Sequence, residues 1–178
     1  MSYSKQIYNL AKSTVERMAE YDEKIRKFEE RKADFSPEYY RAELNKLKNE
    51  KNEIISANGR TASALYELQK DKIRAEFTLN PEQISEDAKL LQYGFGFTSS
   101  DIEKLLDKHK GNRTMERLIS DYAQAHNIVH TRKVETESSK LAKAETMRSY
   151  YESVVKRPQF SDVWFDEGYF SELSEGVD

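Results

Sequence analysis

Ile7, Ala11, Thr14, Met18, Tyr21, Ile25 and Phe28 recur at alternating steps of four and three residues. That stepping keeps one stripe of a helix apolar and is the a/d spacing of a coiled-coil seam. Leu10 and Val15 widen the stripe, while Glu16, Arg17, Glu20, Glu23, Lys24, Arg26 and Lys27 fall mostly on the other face. The helix should stop near Asp34, because Ser36-Pro37 supplies an N-cap followed by a first-turn proline. From Pro37 the stepping resumes through Tyr40, Leu44, Leu47, Ile54, Leu65 and Leu68, with Lys51, Asn58 and Thr61 as polar interruptions. Asn58-Gly59 is where this second helix could bend or fray, since glycine costs about 1 kcal/mol in a helix interior. One helix to about Phe77 is expected, with a break into two as the alternative.

Residues 1–77 therefore predict a helical hairpin. Helices of ~30 and ~40 residues would be ~45 and ~60 Å long. Such a hairpin cannot cover both sides of its seam unaided. Either a later part of the chain folds back on it, or another copy packs against it. On the second branch Ile7, Met18, Ile25, Phe28, Leu44, Leu47, Ile54, Leu65 and Leu68 form an oligomer seam, and a homo-oligomer is expected.

Composition narrows the class. Charged residues make up 34% of the 178 and mean hydropathy is −0.89, too polar for one thick globule. Aromatic residues at 11% argue against a disordered chain. An all-α fold with narrow apolar seams satisfies both. A net charge of −3 gives no general attraction to nucleic acid or anionic lipid. Lysines and arginines along residues 5 to 74 are interspersed with acidic residues, the pattern of a solvated helix face rather than a concentrated basic stripe. With no cysteine, disulfide and thiolate chemistry are excluded. No signal-peptide core opens the sequence, and no apolar run approaches the roughly 20 residues that span a bilayer. A protein kept in water, in the cytoplasm, is the expectation, with no membrane partner.

Residues 78–128 predict a compact three-helix module. Asn80-Pro81-Glu82-Gln83 looks like a cap, first-turn proline and reciprocal glutamine opening a helix with Ile84, Ala88 and Leu91 inward. Tyr93-Gly94-Phe95-Gly96-Phe97 breaks it, with Phe95 and Phe97 expected to plug the core. Thr98 to Asp101 cap a helix carrying Ile102, Leu105 and Leu106. Gly111 ends that helix, and Asn112 caps the next, with Met115, Leu118, Ile119 and Tyr122 inward.

Residues 129–158 become amphipathic around Leu141, Met147, Tyr150, Tyr151, Val154 and Val155, and Arg157-Pro158 ends that connecting helix. Residues 159–178 change character. They hold Phe160, Trp164, Phe165, Tyr169 and Phe170 with six acidic residues and no basic one. Two readings stand. The aromatics insert into a partner's groove while the carboxylates meet a basic rim, or the segment covers the hairpin of its own chain.

Other constellations carry less. His126 and His130 stand four apart and would share a helix face, but no third ligand lies close in sequence. The glycines of Tyr93–Phe97 match neither phosphate-binding pattern. No H-E-x-x-H, G-x-S-x-G or cysteine nucleophile is present. No catalytic, cofactor-binding or metal residue is assigned, and a non-enzymatic protein is expected.

Two resemblances enter at residues 81 to 126. Thr98, Asp101, Ile102, Lys108, Asn112, Thr114, Met115, Arg117, Leu118, Tyr122 and Ala123 follow a spacing similar to that of small helical proteins encoded in the head-gene region of tailed phages of Gram-positive bacteria. Those proteins also carry a charged, heptad-like N-terminal hairpin. The resemblance implies a virion structural or head-assembly role in the host cytoplasm or the particle, with other virion or assembly proteins as partners. It covers roughly residues 1 to 128, transfers no catalytic residues, and leaves the tail after Arg157 outside. Gly96-Phe97 and Gly111-Asn112 also resemble the punctuation of ubiquitin-associated domains, which implies a three-helix shape for this stretch. The extra Gly94-Phe95 departs from that family.

Overall fold

The computed structural model describes residues 1–93 and 95–178, and every regular element among them is helical. The α-helices are α1 (Tyr3–Glu30), α2 (Pro37–Glu76), α3 (Ala88–Gln92), α4 (Ser99–Lys108), α5 (Arg113–Ala125), α6 (Glu137–Lys156), α7 (Ser161–Trp164) and α8 (Glu167–Ser174). Single 3-10 turns occupy Lys32–Asp34, Pro81–Gln83 and Pro158–Phe160. The chain divides into two compact units. The first comprises Met1–Lys70 with Leu141–Asp178, and the second is Asp71–Lys140.

In the first unit α1 and α2 pack together as an antiparallel pair. Asn58 donates to Thr14 Oγ1 at 2.9 Å, Lys51 pairs with Asp22, and Phe28 stacks on Tyr40 with ring centroids 5.4 Å apart. These contacts account for two of the polar seam positions. Lys51 and Asn58 find partners across the hairpin, so they set register instead of leaving a buried group unpaired. Ser36 and Pro37 start α2 as its sequence implies, with Ser36 Oγ accepting from the Tyr39 amide at 3.3 Å. Helix α2 runs unbroken through Asn58-Gly59.

The seam of α2 shifts register after Asn58. The inward residues are Ile54, Asn58, Ala62, Leu65 and Gln69, whereas Thr61 is exposed and Leu68 is 60% exposed. Two consecutive steps of four replace the expected four and three. An ideal α-helix drifts about 20° per heptad, and an inserted step of this kind returns the stripe to the partner without supercoiling. Thr61 and Leu68 are thus displaced from the seam by geometry that a strict heptad ignores.

Helix α6 closes the open side of the hairpin. Its Ala144, Met147, Tyr151 and Val154 are buried together with Ile7, Ala11, Thr14, Met18, Ile54 and Ala62 of the unit. Tyr3 Oη donates to the Ala144 carbonyl at 3.0 Å, and Arg148 lies over the Tyr66 ring at 5.3 Å. Ile7, Met18 and Ile54, expected in an oligomer seam, are buried within one chain. Ile25, Phe28, Leu44, Leu47 and Leu65 are half-buried.

The second unit is organised around Ile102, Leu106, Met115, Ile119 and Ala123. Thr98 and Asp101 form a reciprocal capping box at α4, Gly111 adopts φ +88° to leave it, and the Asn112 side chain caps α5. The expected helix from Asn80 is corrected. Only a 3-10 turn forms at Pro81–Gln83, and α3 begins at Ala88. The groups that a capping box would use are taken by the start of α5. Thr114 Oγ1 accepts from the Asn80 amide and donates to Gln83 Oε1, each at 3.1 Å, and Asn112 Nδ2 donates to the Gln83 carbonyl at 2.7 Å. Ile84 is left 48% exposed as a result. Phe97 packs edge-on to Tyr122, but Phe95 is 56% exposed and plugs nothing. Gly94, part of that expected turn, lies outside the described residues.

A Cβ added at Gly59 meets no atom within 4 Å. Gly59→Ala should therefore stabilise the protein by about 0.5–1 kcal/mol, by helix propensity and lower unfolded-state entropy. Leu68→Ala should cost under ~0.5 kcal/mol, as exposed positions do. Thermal unfolding of the two variants checks both.

Candidate docking surface

Residues 159–178 fold as a strap over the first unit. Arg157 closes α6 through amide bonds to the Ser153 and Val154 carbonyls, and Pro158 opens a 3-10 turn that leads into α7. Asp166 Oδ1 accepts from the Tyr169 amide at 2.9 Å and starts α8. The Asp166 cap divides the segment into two short helices, and Trp164, Phe165 and Phe170 turn towards α1 and α6.

Tyr8 of α1 is the main contact. Its ring lies 4.5 Å from Phe170 and 5.6 Å, edge-on, from Phe165. Tyr150 of α6 donates from its hydroxyl to the Trp164 carbonyl at 2.7 Å and meets Trp164 edge-on at 6.3 Å. Burial pushes the Tyr150 phenol well above its ordinary value, so it stays a donor throughout the physiological range. The indole N–H of Trp164 donates to the Arg157 carbonyl at 3.1 Å.

The far end of the strap is anchored differently. Val177 is fully buried, and Gln69 of α2 donates to its carbonyl at 3.2 Å. Gly176 reaches that position with φ +68°, and Lys143 Nζ occupies the space that a Cβ there would need. The Asp178 carboxylate accepts from the Ser4 amide at 2.9 Å and from the Ser4 hydroxyl. It thereby brings negative charge to the start of α1, whose first turn has no acidic residue of its own. Partial burial opposes ionisation of Asp178. Hydrogen bonds from Ser4, Ser2 and the Tyr3 backbone outweigh it and hold the carboxyl below its usual range. A depressed folded-state pKa means that this anchor is at full strength above the ordinary carboxylate range and is lost as pH falls through the depressed value.

Of the aromatics expected to reach a partner, Trp164, Phe165 and Phe170 are half-buried on their own chain. Phe160 and Tyr169 are 50% and 38% exposed, beside Val163 at 57%. Asp162, Asp166, Glu167 and Glu172 share this stretch and are exposed. Sequence reasoning missed the receiving residues Tyr8, Gln69 and Ser4 and the strap's own anchors Val177 and Asp178. Only Tyr150 was legible, from its place in the α6 stripe.

The second unit contains two titratable clusters. Arg113 bridges Glu76 at 3.2 Å, Glu116 at 3.3 Å and Glu135 at 2.6 Å, and Lys140 meets Glu76 at 2.8 Å. This network borders an open cleft of about 950 Å³ whose walls carry both signs of charge. The guanidinium already occupies the point where the carboxylates converge. The other cluster joins Ser85, Asp87 and His109. Nε2 of His109 lies 2.8 Å from Asp87 and 3.4 Å from Ser85 Oγ. Both partners use the same ring nitrogen, so the imidazole cannot relay a proton between them as a serine–base–carboxylate relay requires. His126 and His130 do not share a helix face, because α5 ends at Ala125 and the His126 ring packs on Tyr122 at 4.2 Å.

Among the described residues, no three His, Asp or Glu side chains are placed to hold a metal ion, and no helix is long and apolar enough to cross a membrane. No protein-family model, curated protein or solved structure matches the chain.

Replacing Arg113 by alanine would leave the 9%-exposed Glu116 without its cation. Breaking a fully buried pair costs ~3–5 kcal/mol, and at this partial exposure a loss of about 2 kcal/mol is expected. Urea unfolding of Arg113→Ala measures it.

Proposed function

We propose that this chain is a non-enzymatic structural or assembly protein of a tailed-phage particle, working by protein–protein contact. The observation that carries the contact reading is the outer side of the strap. Phe160, Val163 and Tyr169 remain open to solvent in a segment that holds six acidic residues and no basic one. Exposed aromatics among like charges suit a partner surface with an apolar groove and a basic rim. The phage assignment is supported by the residue spacing from Thr98 to Ala123. Several of those residues are the caps and core of the second unit: Thr98, Asp101 and Asn112 cap helices, and Ile102, Met115 and Ala123 are buried. Its setting is the host cytoplasm or the virion, and its partners are other virion or assembly proteins and further copies of itself.

The same acidic surface favours one other reading, a small intracellular inhibitor or adaptor that occludes a basic partner protein. The two differ in self-association and in particle association. On the assembly reading, light scattering after size-exclusion chromatography shows concentration-dependent oligomers. The protein also sediments with particles from infected cells, and a Phe160→Ala/Val163→Ala double variant loses that association. A monomer at high concentration that stays behind in the particle-free supernatant counts against assembly and favours the inhibitor or adaptor.

A further inference from the structure

We infer that residues 159–178 form an autoinhibitory strap, which opens from the first unit while α1, α2 and α6 stay folded and which masks a docking surface when closed. Three observations support it. The helical body has a core of its own: Ile7, Ala11, Met18, Ile54, Ala62, Ala144, Met147 and Val154 are buried on α1, α2 and α6. The strap contributes a single fully buried side chain, Val177, while Phe160, Val163 and Tyr169 remain substantially exposed. Its two helices have four and eight residues, too short to persist in water without their contacts. An element with little buried apolar surface and short helices belongs to the low-stability end of a fold.

The anchoring fits a latch. The short hydrogen bonds from the body to the strap lie at its two ends, while between them the contacts are the rings of Phe165 and Phe170 on Tyr8. Tyr150 holds Trp164 at the start, and Gln69 and Ser4 hold Val177 and Asp178 at the finish. Between them α8 stands partly off α6, and Lys143, Thr146, Tyr169, Glu172, Leu173 and Gly176 line an open cleft of about 620 Å³. Opening the strap from both anchors would uncover Tyr8, Tyr150 and the groove that holds Val177. It would also free Phe165 and Phe170 on the strap itself. Both faces are apolar with polar handles, the composition of an interface core. The occupant that this geometry fits is the strap of a second copy, since it reproduces every contact that the chain's own strap makes. This deepens the contact reading above and rests on it only for the consequence of opening. Opening itself is read independently.

Trp164 is the only tryptophan in the chain, and the chain has no cysteine. Tryptophan fluorescence thus reports the strap alone, and an introduced cysteine pair is unambiguous. Acrylamide quenching of Trp164 is to be measured alongside far-UV circular dichroism in the full chain, in Asp178→Asn, in Gln69→Ala, and in Ser4→Cys/Asp178→Cys. The expected result is stronger quenching and a red-shifted emission in Asp178→Asn and Gln69→Ala with helix content unchanged. The oxidised cysteine pair should be protected from quenching, and reduction should remove that protection. Oxidation at high protein concentration should give a covalent dimer, and dilute oxidation an intramolecular link. The inference is overturned if Trp164 becomes accessible only when helicity is lost, or if both single variants quench like the parent. An exclusively intramolecular link at every concentration would overturn the second-copy occupant. The assembly reading can fail on particle association while the quenching result stands, so the two failures are separable.

Discussion

Two long antiparallel helices present an apolar stripe that they can cover on one side only, and the first unit is built around closing the other. Helix α6 supplies the closure. Ala144, Met147, Tyr151 and Val154 are buried together with Ile7, Ala11, Thr14, Met18, Ile54 and Ala62. The small residues Ala11, Ala62 and Ala144 matter as much as the large ones, because they let the helices approach closely enough for the longer side chains to interlock. The aromatic strap then lies over α1 and α6 and covers Tyr8 and Tyr150, which this three-helix core leaves unfinished.

Three polar contacts inside the first unit run across elements. Asn58 meets Thr14, Gln69 meets the Val177 carbonyl, and Ser4 meets Asp178. Each pairing ties residues distant in sequence, and each would leave a desolvated group if the elements slipped by one turn. The second unit follows the same logic with charge. Arg113 gathers Glu76, Glu116 and Glu135 from three separate segments around a small apolar core. In both units the polar contacts specify arrangement, while burial of Ile, Met and Val side chains supplies most of the driving force.

Function, on the reading proposed, follows from which apolar surface is left outside. The strap's acidic outer side is open in the closed state, and a second surface lies beneath it. A protein arranged in this way can meet one partner as it stands and another only after rearrangement. That suits assembly processes in which contacts must form in order. The charged clusters around Arg113 in the second unit are paired internally.

Much was legible in the sequence because it depends on near neighbours. Helical class, the seam from Ile7 to Phe28, the start of α2 at Ser36-Pro37, the capping box at Thr98 and Asp101, and the turn at Gly111-Asn112 follow from spacing and from side chains that reach their own backbone. What required the tertiary structure depends on distant partners. The shift from Thr61 to Ala62 in the α2 seam comes from the drift of a straight helix against its neighbour. The loss of the helix expected at Asn80 comes from Thr114 and Asn112 taking its capping groups. The choice between a strap that covers its own chain and one that reaches elsewhere was left open by periodicity. Tyr8, Gln69 and Ser4 decide it in the closed state, because local spacing carries no information about which far-off donor or ring will be waiting.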